Sequence, residues 1–556
     1  MSSSLSPASS ARPRRPLGRV LPLALAAAVA LLTAACGASD PAGEPVSASA
    51  DAADASSFSW AVENEPVSFN PFVNSQDAAG PLLRNLYDSY LFLDADGVYH
   101  PWLAESYEVS ADGLQITLKL RPGVTFSDGE PLDADAAVLN LTKTQDPAIV
   151  ESTSWATSVD KVEKLDDLTF RIDLKEPDVR VLARLATVSG SPLSPKDFDL
   201  GVDDLKFGIA VHGAGPYAVD SYEKGQQIVL KARSDYNWAP EELTGRNGPA
   251  YTSTVVYRFL AEASTRSGAL QAGQVDAIDS VPPQDVSLFK DNADYQYGAT
   301  QNAGTPYTLY FNVSRPPFDD VRVRQAIQHG VDLDKVVAAV YNGSTQAAHG
   351  VFSPVVPFYD KDLDGYLTLD LDLANRLLDE AGYSGRDADG YRVDANGERL
   401  SIPIQSNATF VRDLRDILNQ AIAAEIKANL SIDYTFKVLD SGSWSEVRQA
   451  NEYVAWDNSL NSNDIAAALA PQYHSNPAIG FINLGQIHDP AVDQLIDAGQ
   501  RSYDAAERTA IYKEFQSYVL TEQSYVLPLY VLRHSWAAPA AVSGFLSDPA
   551  TGQNWN

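Results

Sequence analysis

The sequence predicts an α/β protein with more than one domain. From 114 to 120 apolar and polar residues alternate, which is the period of a strand with one buried face. Leu373, Leu377 and Leu378 recur at helical spacing instead, and Gly382 follows them as a helix stop. About 500 residues follow the N-terminal segment, more than one hydrophobic core usually serves, so we expect two or three domains.

The N-terminus has the pattern of a secretory signal peptide. Four Arg between 12 and 19 precede an apolar run from Val20 to Leu32, which is too short to span a bilayer. The sequence Thr33-Ala34-Ala35-Cys36 follows, and Cys36 is the only cysteine. We therefore predict a signal peptide over 1–35. We also predict a flexible tether over 36–57, because residues 36–57 have few apolar side chains to bury.

The chain is strongly acidic, with a net charge of −32 at pH 7. Residues 1–35 carry four Arg and no acidic residue, so their removal would make the charge more negative. Such a charge keeps an exported protein soluble and argues against nucleic acids or anionic lipid surfaces as partners.

The intervening elements follow from local signals. Asp112-Gly113 is a hairpin signal, because these residues tolerate the positive φ of a tight turn. Asp133 or Asp135 can cap one helix, and Asp319 or Asp320 another. The other predicted elements are a strand over 58–62, a helix over 79–90, a strand that ends at Asn312, a polar hairpin over 387–400 that turns at Asn396-Gly397, a helix over 411–428 and an apolar strand over 525–530.

Several sequence blocks share one resemblance, which spans about Phe58 to Trp536. The blocks include Pro101, Leu103-Ala104-Glu105-Ser106, Leu120-Arg121-Pro122-Gly123-Val124, Asp128-Gly129, Gly213-Ala214-Gly215-Pro216-Tyr217, Leu270-Gln271-Ala272-Gly273, Pro316-Pro317-Phe318-Asp319-Asp320 and Asp489-Pro490. Together they resemble the signature of the family 5 extracellular solute-binding proteins, which are the peptide- and nickel-binding subunits of ABC importers.

The resemblance implies a two-lobed α/β periplasmic-binding-protein fold of type II, in its large three-subdomain variant, with a hinge and an interlobe cleft. Lobe I would comprise 58–100, 205–310 and 527–556. Residues 101–204 would form an inserted subdomain of lobe I, and residues 311–526 would form lobe II.

The resemblance also implies a function. The protein would capture an extracellular solute, with a short peptide favoured, and deliver it by hinge closure to an ABC permease and its ATPase subunits. It would act as a monomer. A nickel chelate, an opine or an oligosaccharide remains an alternative solute, and a sensory receptor remains an alternative role.

The position of Cys36 resembles a lipobox, in which the cysteine is lipidated and becomes the first mature residue. Lipidation would anchor the exported protein to the outer face of the cell membrane. The alternative is a buried or free thiol.

An exported hydrolase is the enzyme alternative, and the sequence gives it no support. There is no His-Glu-x-x-His motif, no pair of cysteines and no Gly-x-Ser-x-Gly nucleophile elbow. We therefore expect a binding protein that needs no cofactor.

The candidate ligand residues come from the resemblance. In peptide-binding members an Asp that follows a Trp-rich strand pairs with the ligand's amino terminus, and Asp457 lies at that place, between Trp456 and Asn458. A buried carboxylate that faces an ammonium makes a strong charge-assisted hydrogen bond. Trp456 and Trp444 would line the cleft, and Asn458 is a further candidate ligand residue. Arg412, or else Arg415, would meet the ligand's carboxylate, although an ion-paired role on a helix is the alternative.

One acidic loop fits part of a calcium motif. Asp360, Asp362 and Asp364 stand at positions one, three and five, Gly365 at six, and Tyr366 and Thr368 follow as further candidate ligands. Leu371 stands at position twelve, where a bidentate Glu is required. The sequence therefore leaves two alternatives for this segment, a structural calcium site or a solvated acidic loop.

Overall fold

A computed structural model of the chain describes residues 57–73, 76, 79–150, 154–245, 248–462, 464–547 and 554–555. The chain divides into two units, residues 1–53 and residues 54–556, and every element below belongs to the second unit. The predicted signal peptide, Cys36 and the tether up to residue 56 lie outside the described residues. Within the described ranges, no helix is both long enough and apolar enough to cross a membrane.

The described chain alternates strands and helices. The strands are β1 (Ser57–Val62), β2 (Leu91–Leu93), β3 (Tyr99–Pro101), β4 (Ala104–Val109), β5 (Gln115–Leu120), β6 (Val159–Lys164), β7 (Thr169–Leu174), β8 (Tyr217–Glu223), β9 (Gln227–Ala232), β10 (Thr254–Phe259), β11 (Ala277–Asp279), β12 (Tyr295–Gln301), β13 (Tyr307–Phe311), β14 (Gly385–Arg386), β15 (Arg392–Val393), β16 (Ser401–Asn407), β17 (Asp433–Leu439), β18 (Ala455–Asn458), β19 (Val526–Tyr530), β20 (Arg533–Pro539), β21 (Leu546–Ser547) and β22 (Asn554–Trp555). The helices are α1 (Gly80–Leu86), α2 (Ala134–Lys143), α3 (Val179–Leu185), α4 (Val202–Phe207), α5 (Glu241–Thr244), α6 (Ala263–Gln271), α7 (Val286–Lys290), α8 (Val321–Gln328), α9 (Leu333–Tyr341), α10 (Leu371–Glu380), α11 (Arg415–Leu430), α12 (Ser441–Gln449), α13 (Ile465–Tyr473), α14 (Pro490–Arg501) and α15 (Ala505–Ser517).

Lobe I is built on a seven-stranded mixed sheet in the order β12-β20-β11-β1-β10-β9-β8. The first strand, β1, lies inside this sheet and runs parallel to both β10 and β11. A strand with neighbours on both sides is covered on both faces when helices pack there, and β1 accordingly buries Trp60, Ala61 and Val62.

The inserted subdomain is a separate four-stranded antiparallel sheet in the order β4-β5-β7-β6. Ile116, Leu118 and Leu120 are fully buried, as the alternation in the sequence predicts. Asp133 caps α2 by accepting a hydrogen bond from the Ala136 amide at 2.9 Å, which confirms one of the two predicted caps.

Lobe II centres on a three-stranded antiparallel sheet in the order β18-β13-β19, beside the parallel pair β16-β17. Helices α8 to α15 pack around these strands and share the largest hydrophobic core of the described chain. Asp320 caps α8, and α10 ends one residue before Ala381 with Gly382 at φ 100°, as predicted.

The chain passes between the two lobes twice, at 302–306 and at 531–532. The predicted lobe boundaries at 310/311 and 526/527 both fall within or beside a strand. Strands β13 and β19 pair with each other, so all of Tyr307–Phe311 and Val526–Tyr530 belongs to the sheet of lobe II.

Three predicted elements differ from the structure by more than one residue. The first helix ends at Leu86, not at residue 90. Helix α11 begins at Arg415, because Asp413 and Leu414 before it have φ values of 51° and 57°. The polar hairpin pairs β14 with β15 and turns at Gly390, and Gly397 belongs to a second turn.

Candidate functional site

Two cavities lie between lobe II and the rest of the compact unit, beside the crossover segments. The smaller one, of about 250 Å³, is lined by Glu63, Arg266, Tyr341, Asp413, Tyr530 and Arg533, and we call it the hinge cavity. The larger one, of about 720 Å³, is lined among others by Tyr99, Leu182, Phe358, Asp464, Tyr503 and Arg508, and we call it the apolar cavity.

The hinge cavity brings together two carboxylates from opposite lobes. Glu63 follows β1 of lobe I, and Asp413 precedes α11 of lobe II. Burial raises the pKa of Glu63, and the nearby Asp413 carboxylate raises it further. Within the described residues, the Glu63 side chain makes no hydrogen bond and no ion pair. The cavity therefore contains an acidic pair, and the nearby Arg266 and Arg412 act in the opposite direction by lowering the pKa of Glu63.

Arg266 supplies the main positive charge in the wall of the hinge cavity. Its side chain is 2% exposed, and its guanidinium donates to the carbonyls of Leu260 at 2.8 Å, Ala261 at 2.9 Å and Ser280 at 3.2 Å. Its Nε has no hydrogen bond partner among the described residues. The guanidinium is thus fixed by backbone carbonyls and keeps one donor unused.

The backbone before α11 holds Asp413 in place. Both Asp413 and Leu414 lie in the left-handed region, where a non-glycine residue costs roughly 1–3 kcal/mol. Strain of this kind persists only where the surroundings impose it. Two consecutive strained residues at the cavity wall therefore favour a functional role for this segment.

Asp457, the predicted amine anchor, lies inside lobe II and lines neither cavity. It is 9% exposed, and the hydroxyls of Tyr307 and Ser406 donate short hydrogen bonds to its carboxylate. Asn419 Nδ2 is 3.4 Å away, and burial raises the pKa of the Asp457 carboxyl. These contacts favour a structural role, and the anchor stays a prediction.

The other predicted ligand residues also lie away from both cavity walls. Trp456 is 2% exposed, and its ring is 5.0 Å from that of Trp444 in the core of lobe II. Asn458 pairs with Thr308 at the end of β18. Arg412 is the nearest of the set, because its Nε lies 3.5 Å from Asp413 Oδ2.

Arg415, the alternative to Arg412, is buried beneath the hinge cavity. Its guanidinium lies 4.2 Å from the centre of the Tyr307 ring and donates to the Tyr530 hydroxyl at 3.1 Å. Sequence reasoning passed over Glu63 and Asp413. The available signal for Glu63 is its place directly after a predicted strand, since ligand sites in α/β sheets gather at strand ends.

The acidic loop at 360–368 does not gather its carboxylates around one point. Lys513 Nζ lies 3.1 Å from Asp360 and 3.3 Å from Asp362, and Asp364 accepts a hydrogen bond from Tyr359. In the part of the chain that the structure describes, no group of three or more His, Cys, Asp or Glu is placed to hold a metal ion. Calcium binding through Asp360, Asp362, Asp364, Tyr366 and Thr368 stays a prediction.

Comparison with known proteins gives consistent matches over most of the chain. The family model described as "Bacterial extracellular solute-binding proteins, family 5 Middle" matches residues 98–478. The glutathione-binding protein GsiB of Escherichia coli strain K12 is 26% identical over 509 residues, which cover 88% of this chain and 92% of the relative.

Solved structures match at the level of the fold. The oligopeptide-binding protein AppA from Bacillus subtilis, in complex with a nonapeptide, has a TM-score of 0.74 and 21% identity and covers 89% of this chain and 97% of its own. NikA from Brucella suis, in complex with Fe(III)-EDTA, has a TM-score of 0.74 and 24% identity. The match covers 88% of this chain and 96% of NikA. Both matches extend across both lobes.

Proposed function

Because this chain belongs to the family 5 bacterial extracellular solute-binding proteins, we propose that it captures a short peptide in its hinge cavity for delivery to an ABC permease. The two-lobed type II fold that the sequence predicted is confirmed. Proteins of this family bind solutes for transport. We propose accordingly that this chain has no hydrolase activity.

The observation that carries the proposal is the pair of carboxylates, Glu63 and Asp413, that face one cavity from opposite lobes. An ammonium group between them would form charge-assisted hydrogen bonds to both and relieve their repulsion. The amino terminus of a peptide carries such a group. The relatives named for binding glutathione and a nonapeptide support the same class of ligand.

Hinge closure follows from the placement of this pair. A ligand that touches both lobes binds the closed state better than the open one and shifts the equilibrium by that difference. Arg533, at the start of β20, already reaches the Ser344 carbonyl of lobe II at 2.8 Å. The permease would then recognise the closed arrangement.

A thermal-shift screen tests the proposal. The chain from Gly37 onward keeps the whole compact unit 54–556 and would be screened with di- to pentapeptides, glutathione, nickel with histidine, and oligosaccharides. A ligand that binds only the folded state raises the melting temperature as its concentration exceeds Kd. Free peptides should raise it, and the same peptides with an acetylated amino terminus should not.

Two variants and a control locate the amine. Glu63→Gln should abolish the peptide shift, whereas Glu514→Gln, an exposed carboxylate that lines neither cavity, should preserve it. If Asp457→Asn abolishes the shift and Glu63→Gln does not, the amine binds where the sequence placed it and the hinge-cavity assignment is wrong. A shift with chelates or sugars alone would overturn the peptide ligand.

We also propose that Cys36 is lipidated and anchors the protein to the outer face of the cell membrane. The signal-peptide pattern before Cys36 supports this. Metabolic labelling with an alkyne-bearing fatty acid should label the full chain. Cys36→Ala should abolish the label and release the protein from the membrane fraction, and a labelled Cys36→Ala variant would contradict the proposal.

A further inference from the structure

The apolar cavity has walls from three parts of the molecule. Tyr99 comes from β3, Tyr107 from β4 of the inserted subdomain, and Leu182 from α3. Phe358 and Ile465 belong to lobe II. Its volume of about 720 Å³ lies within the range of roughly 300–1,000 Å³ that small-molecule sites occupy. Its aliphatic and aromatic lining is also typical of such sites.

The buried charges of this cavity neutralise each other. Arg508 is 8% exposed and Asp464 6%, and Arg508 Nη2 donates a short hydrogen bond to Asp464 Oδ1. The Tyr99 hydroxyl donates to Asp464 Oδ2 at 3.3 Å. The pair therefore offers a ligand no free charge.

One hydrogen bond donor of the Asp464–Arg508 pair has no acceptor among the described residues. Arg508 Nε has no hydrogen bond partner among the described residues, and the guanidinium lies 4.7 Å from the centre of the Phe358 ring. A buried N–H without a partner is costly, so an acceptor oxygen brought near it would be stabilised. The rim carries Asp94 and Asp96, which disfavour an anion.

We propose that the apolar cavity is a second binding site, distinct from the hinge cavity, for a small uncharged apolar molecule that carries a hydrogen bond acceptor. Apolar walls favour an apolar body, since burial removes it from water. A charged ligand would lose its hydration there without gaining a free counter-charge.

Occupancy of this site would favour closure. The inserted subdomain and lobe II meet beside the cavity through Arg501 and Glu176, 2.8 Å apart, and through the Tyr503 hydroxyl, which donates to the Asp178 carbonyl at 3.1 Å. A molecule held between these walls binds better when the walls are together. It would therefore strengthen binding at the hinge cavity, and reciprocally; this coupling alone rests on the proposed function.

Binding can be measured with N-phenyl-1-naphthylamine, an uncharged probe that fluoresces in apolar surroundings. We expect saturable binding at one probe per chain and displacement by octanol. The anionic analogue 1-anilinonaphthalene-8-sulfonate should bind at least about tenfold more weakly, because the cavity has no free positive charge.

Adjacent positions on α15 give matched variants. Ala505 and Thr509 line the cavity, whereas Ala506 and Ala510 on the same helix do not. Ala505→Trp and Thr509→Trp should weaken probe binding at least about tenfold by filling the space, and Ala506→Trp and Ala510→Trp should leave it unchanged. Two filling variants are used so that a folding defect in one, detected by circular dichroism, still leaves the other.

Three results would overturn the inference: non-saturable binding, equal binding by both probes, or filling variants that bind like the controls. Glu63→Gln separates the two proposals. Probe binding should survive in that variant even if peptides never bind, whereas loss of probe binding would place the probe in the hinge cavity.

Discussion

The hinge cavity and the apolar cavity lie between the same lobes but differ in which groups they leave unsatisfied. In the smaller cavity Glu63 makes no direct ion pair among the described residues, although Arg266 and Arg533 also line the wall, whereas the larger cavity closes its charges into the pair Asp464–Arg508. A large volume therefore marks where an apolar body fits. A buried charge without a direct partner, such as Glu63, marks where a ligand is selected by its chemistry.

The largest effect is expected from breaking the closed pair of the apolar cavity. Asp464→Ala leaves Arg508 buried without its counter-charge and removes the cap of α13, so it should lower the free energy of unfolding by about 3–5 kcal/mol. Urea unfolding measures this. Asp135→Ala, which breaks the exposed pair with Lys164, should cost far less, because solvent screens that pair. Equal losses of unfolding free energy in the two variants would show that burial does not make the Asp464–Arg508 pair more important than an exposed pair.

The next effect concerns Glu63, the carboxylate of the hinge cavity that has no direct ion pair among the described residues. Glu63→Gln should weaken peptide binding by about 2–3 kcal/mol, because a charge-assisted hydrogen bond is lost. The same variant should raise the melting temperature of the ligand-free protein, since it removes a carboxylate that is penalised first by burial and then by repulsion from Asp413. Titration calorimetry tests the expected loss of peptide affinity, and a thermal melt tests the expected rise in melting temperature. A variant that loses both affinity and stability would indicate a purely structural Glu63.

A third buried carboxylate, Asp88, lets the effect of burial be measured through the pH dependence of stability. Asp88 is fully buried, accepts hydrogen bonds from Tyr236 at 2.8 Å and Trp238 at 3.1 Å, and lines neither cavity. Burial raises its pKa from 3.8 to about 7. The folded protein thus binds this proton more tightly than the unfolded chain does. The resulting stability is complete below pH 3.8 and is lost as pH rises through about 7.

Asp88→Asn should remove this loss. The variant should be more stable than the parent at pH 8 by roughly 2–4 kcal/mol and should show a flatter profile between pH 4 and pH 7 in urea unfolding. A saturating peptide should leave the Asp88 contribution unchanged and alter only that of Glu63. If the profiles of parent and variant run parallel, Asp88 does not titrate in this window.

A smaller effect is expected at the contact beside the apolar cavity. Arg501 and Glu176 are both about half exposed, so Arg501→Gln should change the free energy of unfolding by less than about 1 kcal/mol. Small-angle scattering of the ligand-free variant should nevertheless report a more open average shape, because the contact joins the two lobes. An unchanged scattering curve would mean that the contact does not bias closure.

The smallest effect is expected from calcium. Lys513 stands between Asp360 and Asp362, so calcium should shift the melting temperature little in the parent and more in Lys513→Met. Thermal melts with and without the ion distinguish these outcomes. No shift in either protein would remove the calcium site from consideration.

Local signals predicted the elements well because their causes are local. The alternation in β5 and the caps at Asp133 and Asp320 depend on neighbours within a few residues. The start of α11 could not be predicted in this way. Asp413 and Leu414 adopt left-handed angles only because the surrounding fold imposes them, and a leucine gives no sequence signal for that conformation.

The candidate site was harder to predict because it joins distant parts of the chain. Glu63 and Asp413 are 350 positions apart in the sequence and meet only through the arrangement of the two lobes. Asp457 was chosen by position within a resembling segment, and the structure turns its carboxylate toward Tyr307 and Ser406. Neighbouring residues on a strand face opposite ways, so the position of a segment alone does not determine which of its side chains faces a ligand, and the Asp457 anchor stays a prediction.

The sheet order of lobe I has a consequence for how the protein is made. Strand β20 comes from the end of the chain, yet it lies between β11 and β12. A chain that crosses a membrane from its N-terminus therefore cannot complete this sheet until its last segment has emerged. Lobe II, whose residues are contiguous between the two crossovers, can assemble earlier. The sheet of the inserted subdomain, which is contiguous from Ala104 to Leu174, emerges earlier still. The order of emergence thus favours folding of the inserted subdomain and then of lobe II before the sheet of lobe I is complete.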